Sequence, residues 1–238
     1  MRKMTQGSIA RHLIAYALPL ILGNLFQLTY NAVDSIVIGK FAGENALAAV
    51  SAANPVMTIM ILGVSGVSIG ASVLMSRFYG AGDDAGMRRT YGLMTVGTQA
   101  ASLLFMLAAL LFPDGIVRLF SSDEQAIALG ASYLRIIALS YPFLALTRGG
   151  GTLLQSTGRV MIPFVGSLIS VAVNIVLNAL LIFGLCGFPA LGVQGAAIAS
   201  LVSAVVGALV IYGAGIAKKT LLRTGRSGLV GITGGFIR

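Results

Sequence analysis

Residues 161–184 read MIPFVGSLISVAVNIVLNALLIFG, an unbroken stretch without one charged side chain. A hydrocarbon core about 30 Å thick needs roughly 20 apolar residues in a helix, so this stretch is long enough to cross it. Its polar residues are not scattered. Ser167, Ser170, Asn174 and Asn178 are spaced three, four and four apart, which stacks them on one helical face. A strip of hydroxyls and amides is costly against acyl chains, so it points into a helix bundle or a wet cavity.

Five further stretches have the same character: Leu13–Gly39, Pro55–Ser76, Tyr91–Phe112, Ala126–Leu146 and Val193–Ile216. The 238-residue chain is 57% hydrophobic and 10% charged, against about 25% charged in an ordinary soluble domain. Its mean hydropathy is +0.93. That excludes a water-soluble enzyme or a free nucleic-acid-binding domain. Strand-type alternation is absent, so the expected fold is all-α, a polytopic transmembrane bundle of six spans. The first span is too long for a signal-peptide core and is expected to be retained. Residues 1–12 read as an N-terminal segment, 13–216 as the six-helix lobe, and 217–238 as a basic, glycine-rich tail.

The charges orient the bundle. With the N-terminus in the cytoplasm, one side collects Arg2, Lys3, Arg11, Arg77, Arg88, Arg89, Arg148, Arg159, Lys218, Lys219, Arg223, Arg226 and Arg238. Only Lys40 and Arg118 fall on the other. Positive charge marks the cytoplasmic side, so both ends are expected there, with the protein in the inner (plasma) membrane. The net charge of +9 is thus a topology signal, and no nucleic acid is called for. With His12 and Cys186 the sole residues of their kinds, no hydrolytic constellation or cysteine-based metal site is expected. The chain reads as a non-enzyme without a resident cofactor.

Six of the seven acidic residues are expected in loops: Glu44, Asp83, Asp84, Asp114, Asp123 and Glu124. The seventh, Asp34, falls inside the first span, about 10 Å along a helix from its outer end. Asn24, Gln27, Asn31 and Asp34 are spaced three, four and three, so they too share a face. Intramembrane carboxylates are expensive and point to function. The bland alternatives are a protonated, idle carboxyl at Asp34 and interhelical hydrogen-bonding glue for the amides and hydroxyls. Ser200 and Ser203 add hydroxyls in the sixth span. Arg135 is expected as a second buried charge, snorkelling or paired with a carboxylate. Gly63, Gly66 and Gly70 read as close helix packing. Pro19, Pro55 and Pro142 invite kinks, and Gly149–Gly151 reads as a loop rather than a phosphate cradle.

These residues carry a family resemblance. LPLILGNLFQLTYNAVDSIVIGKFAGENALAAVSAANP at 18–55 resembles the first helix and following loop of multidrug and toxic compound extrusion (MATE) transporters. SRFYGAGD at 76–83, LLQSTGRVMIPFVGSLISVAVNIVLNALLIFG at 153–184 and GVQGAAIAS at 192–200 are similar to that family's second-to-third loop, fifth helix and sixth helix. The likeness runs from about Ser8 to Ile216 and matches only an N-terminal lobe.

The resemblance implies a twelve-helix antiporter of two lobes, exporting organic, often cationic, compounds in exchange for protons or sodium. Its partners would be membrane lipid, a small organic substrate, and a missing second six-helix lobe or a second copy of this chain. On the family's pattern Asp34 is the cation-coupling carboxylate, joined by Asn174, Asn178 and Ser200, with Na+ as a candidate ligand of the four. Asn178 stands where some members carry an aspartate, which weakens a sodium site and favours a proton. Asn24, Gln27 and Asn31 would line the cavity and Pro19 would be the hinge. The alternatives are an inactive truncated half or assembly partner, and a lipid-linked oligosaccharide flippase, for which Arg135 is the one cavity base on offer.

Overall fold

The computed structural model describes residue 14, residues 16–26 and residues 38–217. Asp34, Gln27, Asn31, the N-terminal segment 1–12 and the tail from residue 218 lie outside them. The described residues form eight α-helices and no strand: α1 (Tyr16–Phe26), α2 (Glu44–Ala81), α3 (Asp84–Leu111), α4 (Pro113–Arg118), α5 (Glu124–Ala138), α6 (Tyr141–Ser156), α7 (Met161–Phe183) and α8 (Val193–Ala217). A π-helical turn, Ile38–Ala42, leads into α2. Four helices, α2, α3, α7 and α8, are long and apolar enough to cross a membrane, and α5 with α6, bent by 46°, passes the same test as a pair, which gives up to five. Of the expected six spans, the first is therefore seen only in part.

The boundaries also move. The second span, expected at Pro55–Ser76, is a 38-residue helix that runs through Pro55 without a break. At 1.5 Å per residue it is roughly 57 Å long and projects beyond any hydrocarbon core. The fourth span breaks at Leu139 and Ser140, just before Pro142, whose ring and missing N–H end the α5 helical ladder. Gly149–Gly151 are not a loop but the middle of α6, where absent side chains let α8 approach. A Cβ on Gly150 would fall 2.7 Å from Ile211 Cγ2. Conversely, nothing lies within 4 Å of a Cβ built on Gly63, Gly66 or Gly70. Their close-packing role fails within this lobe because that face of α2 meets no other helix among the described residues.

The six acidic residues expected in loops sit instead at helix starts. Glu44, Asp84, Asp114 and Glu124 occupy first turns, and Asp83 and Asp123 are N-caps. There the carboxylates meet unpaired N–H groups and the positive end of the helix dipole. The α2–α3 turn shows the economy of this. Gly82 closes α2 at φ 73°, and Asp83 Oδ1 accepts from Gly86 N at 2.8 Å to open α3. Asp83→Ala is expected to cost about 0.5–2 kcal/mol, read as a lower melting temperature in detergent.

Arg135 meets its expectation in part, with a carboxylate partner but without burial. It is not buried: its side chain is 58% exposed, and it pairs with Asp114 at 3.3 Å. Arg118 pairs with Glu124 at 2.9 Å nearby. Both pairs are exposed, so each stabilises by less than about 1 kcal/mol.

Two apolar clusters fill the lobe. The larger joins α2, α5, α6, the end of α4 and the start of α8 around Val50, Met60, Leu134 and Tyr141. The smaller joins α2, α3, α6 and α8 around Met75, Met87, Met94 and Ile211.

Candidate polar site between α7 and α8

The polar face read in residues 161–184 is real, and α8 covers it. α7 and α8 form an antiparallel pair tied by glycine at three levels. A Cβ on Gly166 would lie 3.4 Å from Ile211 Cγ1, one on Gly207 3.3 Å from Ser170 Oγ, and one on Gly195 2.7 Å from the Leu181 carbonyl oxygen. With the backbones this close, short polar side chains reach across.

Asn174 and Asn178 are both buried, at 3% and 6% exposure, although most of α7 around them is apolar and partly open. Asn178 Nδ2 donates to Asn174 Oδ1 at 2.7 Å. Asn174 Nδ2 donates to Ser200 Oγ at 3.3 Å and to Ser203 Oγ at 3.2 Å. Ser203 Oγ donates on to the Ser200 carbonyl at 2.9 Å, and Ser170 Oγ donates to the Ser203 carbonyl at 2.7 Å. The result is a chain of amides and hydroxyls about two helical turns deep, without a formal charge among its described members.

Of the expected site residues, the structure thus brings Asn174, Asn178 and Ser200 together. Asp34, Gln27 and Asn31 are outside the described residues. Asn24 lies on α1 with its side chain exposed, and Pro19, in the same helix, is half-buried. Ser203 belongs to the cluster as fully as Ser200. The signal for it was its three-residue spacing from Ser200, which puts both on one face of α8. Ser167 serves its own helix, donating to the Phe164 carbonyl at 2.8 Å.

The described residues that flank Asp34 in sequence both touch this helix pair. A Cβ on Gly23 of α1 would sit 3.4 Å from the Phe164 ring of α7. On the other side, Ile38 is 1% exposed, and its π-helical turn packs on α7 and α8.

The comparisons with known proteins agree with one another. "Probable multidrug resistance protein YoeA" of Bacillus subtilis (strain 168) is 30% identical over 210 residues, covering 88% of this chain and 45% of the relative. "Multidrug export protein MepA" of Staphylococcus aureus (strain bovine RF122 / ET3-1) is 30% identical, over 87% of this chain and 46% of its own length. A crystal structure of MATE in the bent conformation superposes with a TM-score of 0.80 at 26% identity, covering 94% of this chain and 50% of that one. An outward-facing multidrug resistance MATE family transporter of the MOP superfamily gives 0.81 at 25%, with the same coverage. The chain therefore spans about half the length of the relatives it matches. The family model described as MatE covers residues 19–180, well over half of the sequence, and this chain belongs to that family.

Proposed function

We propose that this chain is the N-terminal lobe of a cation-coupled antiporter that exports organic, often cationic, compounds across the cytoplasmic membrane. The observation that carries the reading is the buried Asn178–Asn174–Ser200/Ser203 chain, built on the face that the sequence marks as polar. Its relatives bear multidrug resistance and multidrug export in their names, and the apolar helices suit a multi-pass membrane protein. Both ends of the chain are assigned to the cytoplasm from the distribution of arginine and lysine.

In this reading Asp34 supplies the charge that the α7–α8 cluster lacks. The reading requires Asp34 to exchange between its ionised and neutral forms, a balance set by burial on one side and amide donors on the other. Turning the Asn174 amide by half a rotation exchanges its donor for its acceptor, which lets the same cluster face a carboxylate or a cation. Proton or sodium loading from outside cancels the charge, α1 repacks about Pro19, and substrate leaves outward. For the oligosaccharide-flippase alternative, the one base on offer, Arg135, is already paired with Asp114 at 3.3 Å.

The test is transport of ethidium in proteoliposomes under an imposed proton or sodium gradient. The 238-residue chain is compared with a version extended by a second six-helix lobe. Gradient-driven export by the extended version supports the proposal. Equal rates from the two versions, or export that ignores both gradients, reject it.

A further inference from the structure

The bent crossing breaks at the level of the polar site. A Cβ on Gly207 of α8 would lie 3.8 Å from Thr147 Oγ1, and one on Gly150 would meet Ile211 and Tyr212. α6 and α8 therefore run in the same direction and side by side. Counting back six residues from Thr147 and Gly207 reaches Tyr141 and Leu201, so Tyr141 is level with the turn that carries Ser200 and Ser203. Tyr141 also shares its buried cluster with Ile182, Val193, Ala196 and Ala197. Ile182 is one turn beyond Asn178, and Ala197 is one turn before Ser200.

One buried hydroxyl at this break lacks a partner, and one carbonyl loses its helical donor. Tyr141 is completely buried, yet its hydroxyl has no hydrogen-bond partner among the described residues. Pro142 has no N–H, so the Ala138 carbonyl at the end of α5 loses the donor that a continuous helix would give it. The break itself is braced. Gln99 Nε2 of α3 donates to the Pro142 carbonyl at 3.1 Å, while Gln99 Oε1 accepts from Ser102 Oγ at 3.3 Å. Ser140 Oγ donates to the Ile137 carbonyl at 2.6 Å. A frayed helix would not be held in this way. A buried hydroxyl that can donate and accept, three residues along the chain from a buried carbonyl that can only accept, offers the two kinds of group that an internal water satisfies.

We infer that the α5–α6 break is a water-binding site, with the Tyr141 hydroxyl and the Ala138 carbonyl as its anchors. It extends the α7–α8 polar layer into α6, so that the ion-coupling cluster is hydrated from inside the lobe. This step rests on the proposed coupling role of that cluster, but the site itself does not.

Radiolytic hydroxyl-radical labelling of the full chain in detergent, followed by mass spectrometry, tests it directly. A tyrosine touching bound water is labelled despite zero surface exposure. The expected results are labelling of Tyr141 and a melting temperature for Tyr141→Phe lowered by a few degrees. An unpartnered hydroxyl in a dry core predicts the opposite sign, because removing it relieves a desolvation cost. An unlabelled Tyr141, or a Tyr141→Phe variant as stable as the parent or more so, overturns the inference. Loss of gradient dependence in the export assay with Tyr141 still labelled would reject the coupling reading and leave the water site standing.

Discussion

Asp34→Asn, placed in a version of the chain extended by a second lobe, is expected to abolish ion-driven export while leaving membrane insertion intact. One charge moved through a membrane potential yields about 2.3 kcal/mol per 100 mV. At 1.4 kcal/mol per factor of ten, that sustains a gradient of roughly 50-fold for a neutral substrate; in one-for-one exchange with monovalent ethidium the two charges cancel, and the imposed ion gradient alone sets the limit, about tenfold for tenfold. An asparagine keeps the size and much of the hydrogen bonding of the side chain but binds neither a proton nor a charge-compensated cation. The gradient should therefore collapse to the passive level. Ethidium accumulation in proteoliposomes gives the readout, and the amount of protein in the membrane fraction checks insertion. Unchanged export would remove Asp34 from the mechanism.

Leucine at position 195 is expected to have the largest effect on the fold. Gly195 lies where α8 leaves the α7–α8 hairpin, and the hairpin is already fixed. Gly184 ends α7 at φ 67°, and Leu191 N donates to the Leu181 carbonyl at 2.8 Å. A Cβ on Gly195 would sit 2.7 Å from that carbonyl oxygen and 2.8 Å from its carbon. Backbone cannot swing aside as a flexible side chain can, so the helices must part. Overpacking against movable neighbours costs about 1–3 kcal/mol, and against the Leu181 backbone the upper end or more is expected for leucine. The damage reaches the site, because Ser200 begins little more than one turn later. Parting the pair stretches the 3.2–3.3 Å contacts from Asn174 beyond hydrogen-bonding range. Thermal unfolding in detergent should show a loss of many degrees for Gly195→Leu and a smaller loss for Gly195→Ala. Equal stability of glycine and leucine at this position would contradict the close approach.

How far the sequence could be read depended on what its signals were made of. Residues 161–184 announced a span and a polar face because hydropathy and spacing are local properties, and α7 carries both as expected. The bend at Pro142 was legible for the same reason, since proline acts on its own backbone. Arg135 was misjudged because burial depends on neighbours that periodicity does not supply. Asp114, 21 positions away, holds it at the exposed surface. Gly63, Gly66 and Gly70 meet no neighbour among the described residues. Their spacing suits close packing, but whether a second helix is present is a tertiary fact. Gly195 and Gly207 do the close packing instead, and nothing in the α8 sequence distinguishes them from the glycines of α2. Six acidic residues that sit at helix starts were read as loop residues, because helix starts and loops look alike in hydropathy.

The central claim is that Asp34 and the α7–α8 amides share one buried site. Cysteine pairs measure this directly, in a Cys186→Ser background. Asp34→Cys is combined either with Asn178→Cys or with Val176→Cys, two α7 positions on opposite faces; Val176 is 57% exposed. A disulfide requires Cα atoms roughly 4.4–6.8 Å apart, and mercuric ion bridges slightly wider pairs. Oxidation or mercury bridging of the 34/178 pair, with the 34/176 pair left uncrosslinked, is the result expected. A 34/176 crosslink in its place would put the carboxylate on the outer face of α7, away from Asn174, and the ion-coupling role would fall with it.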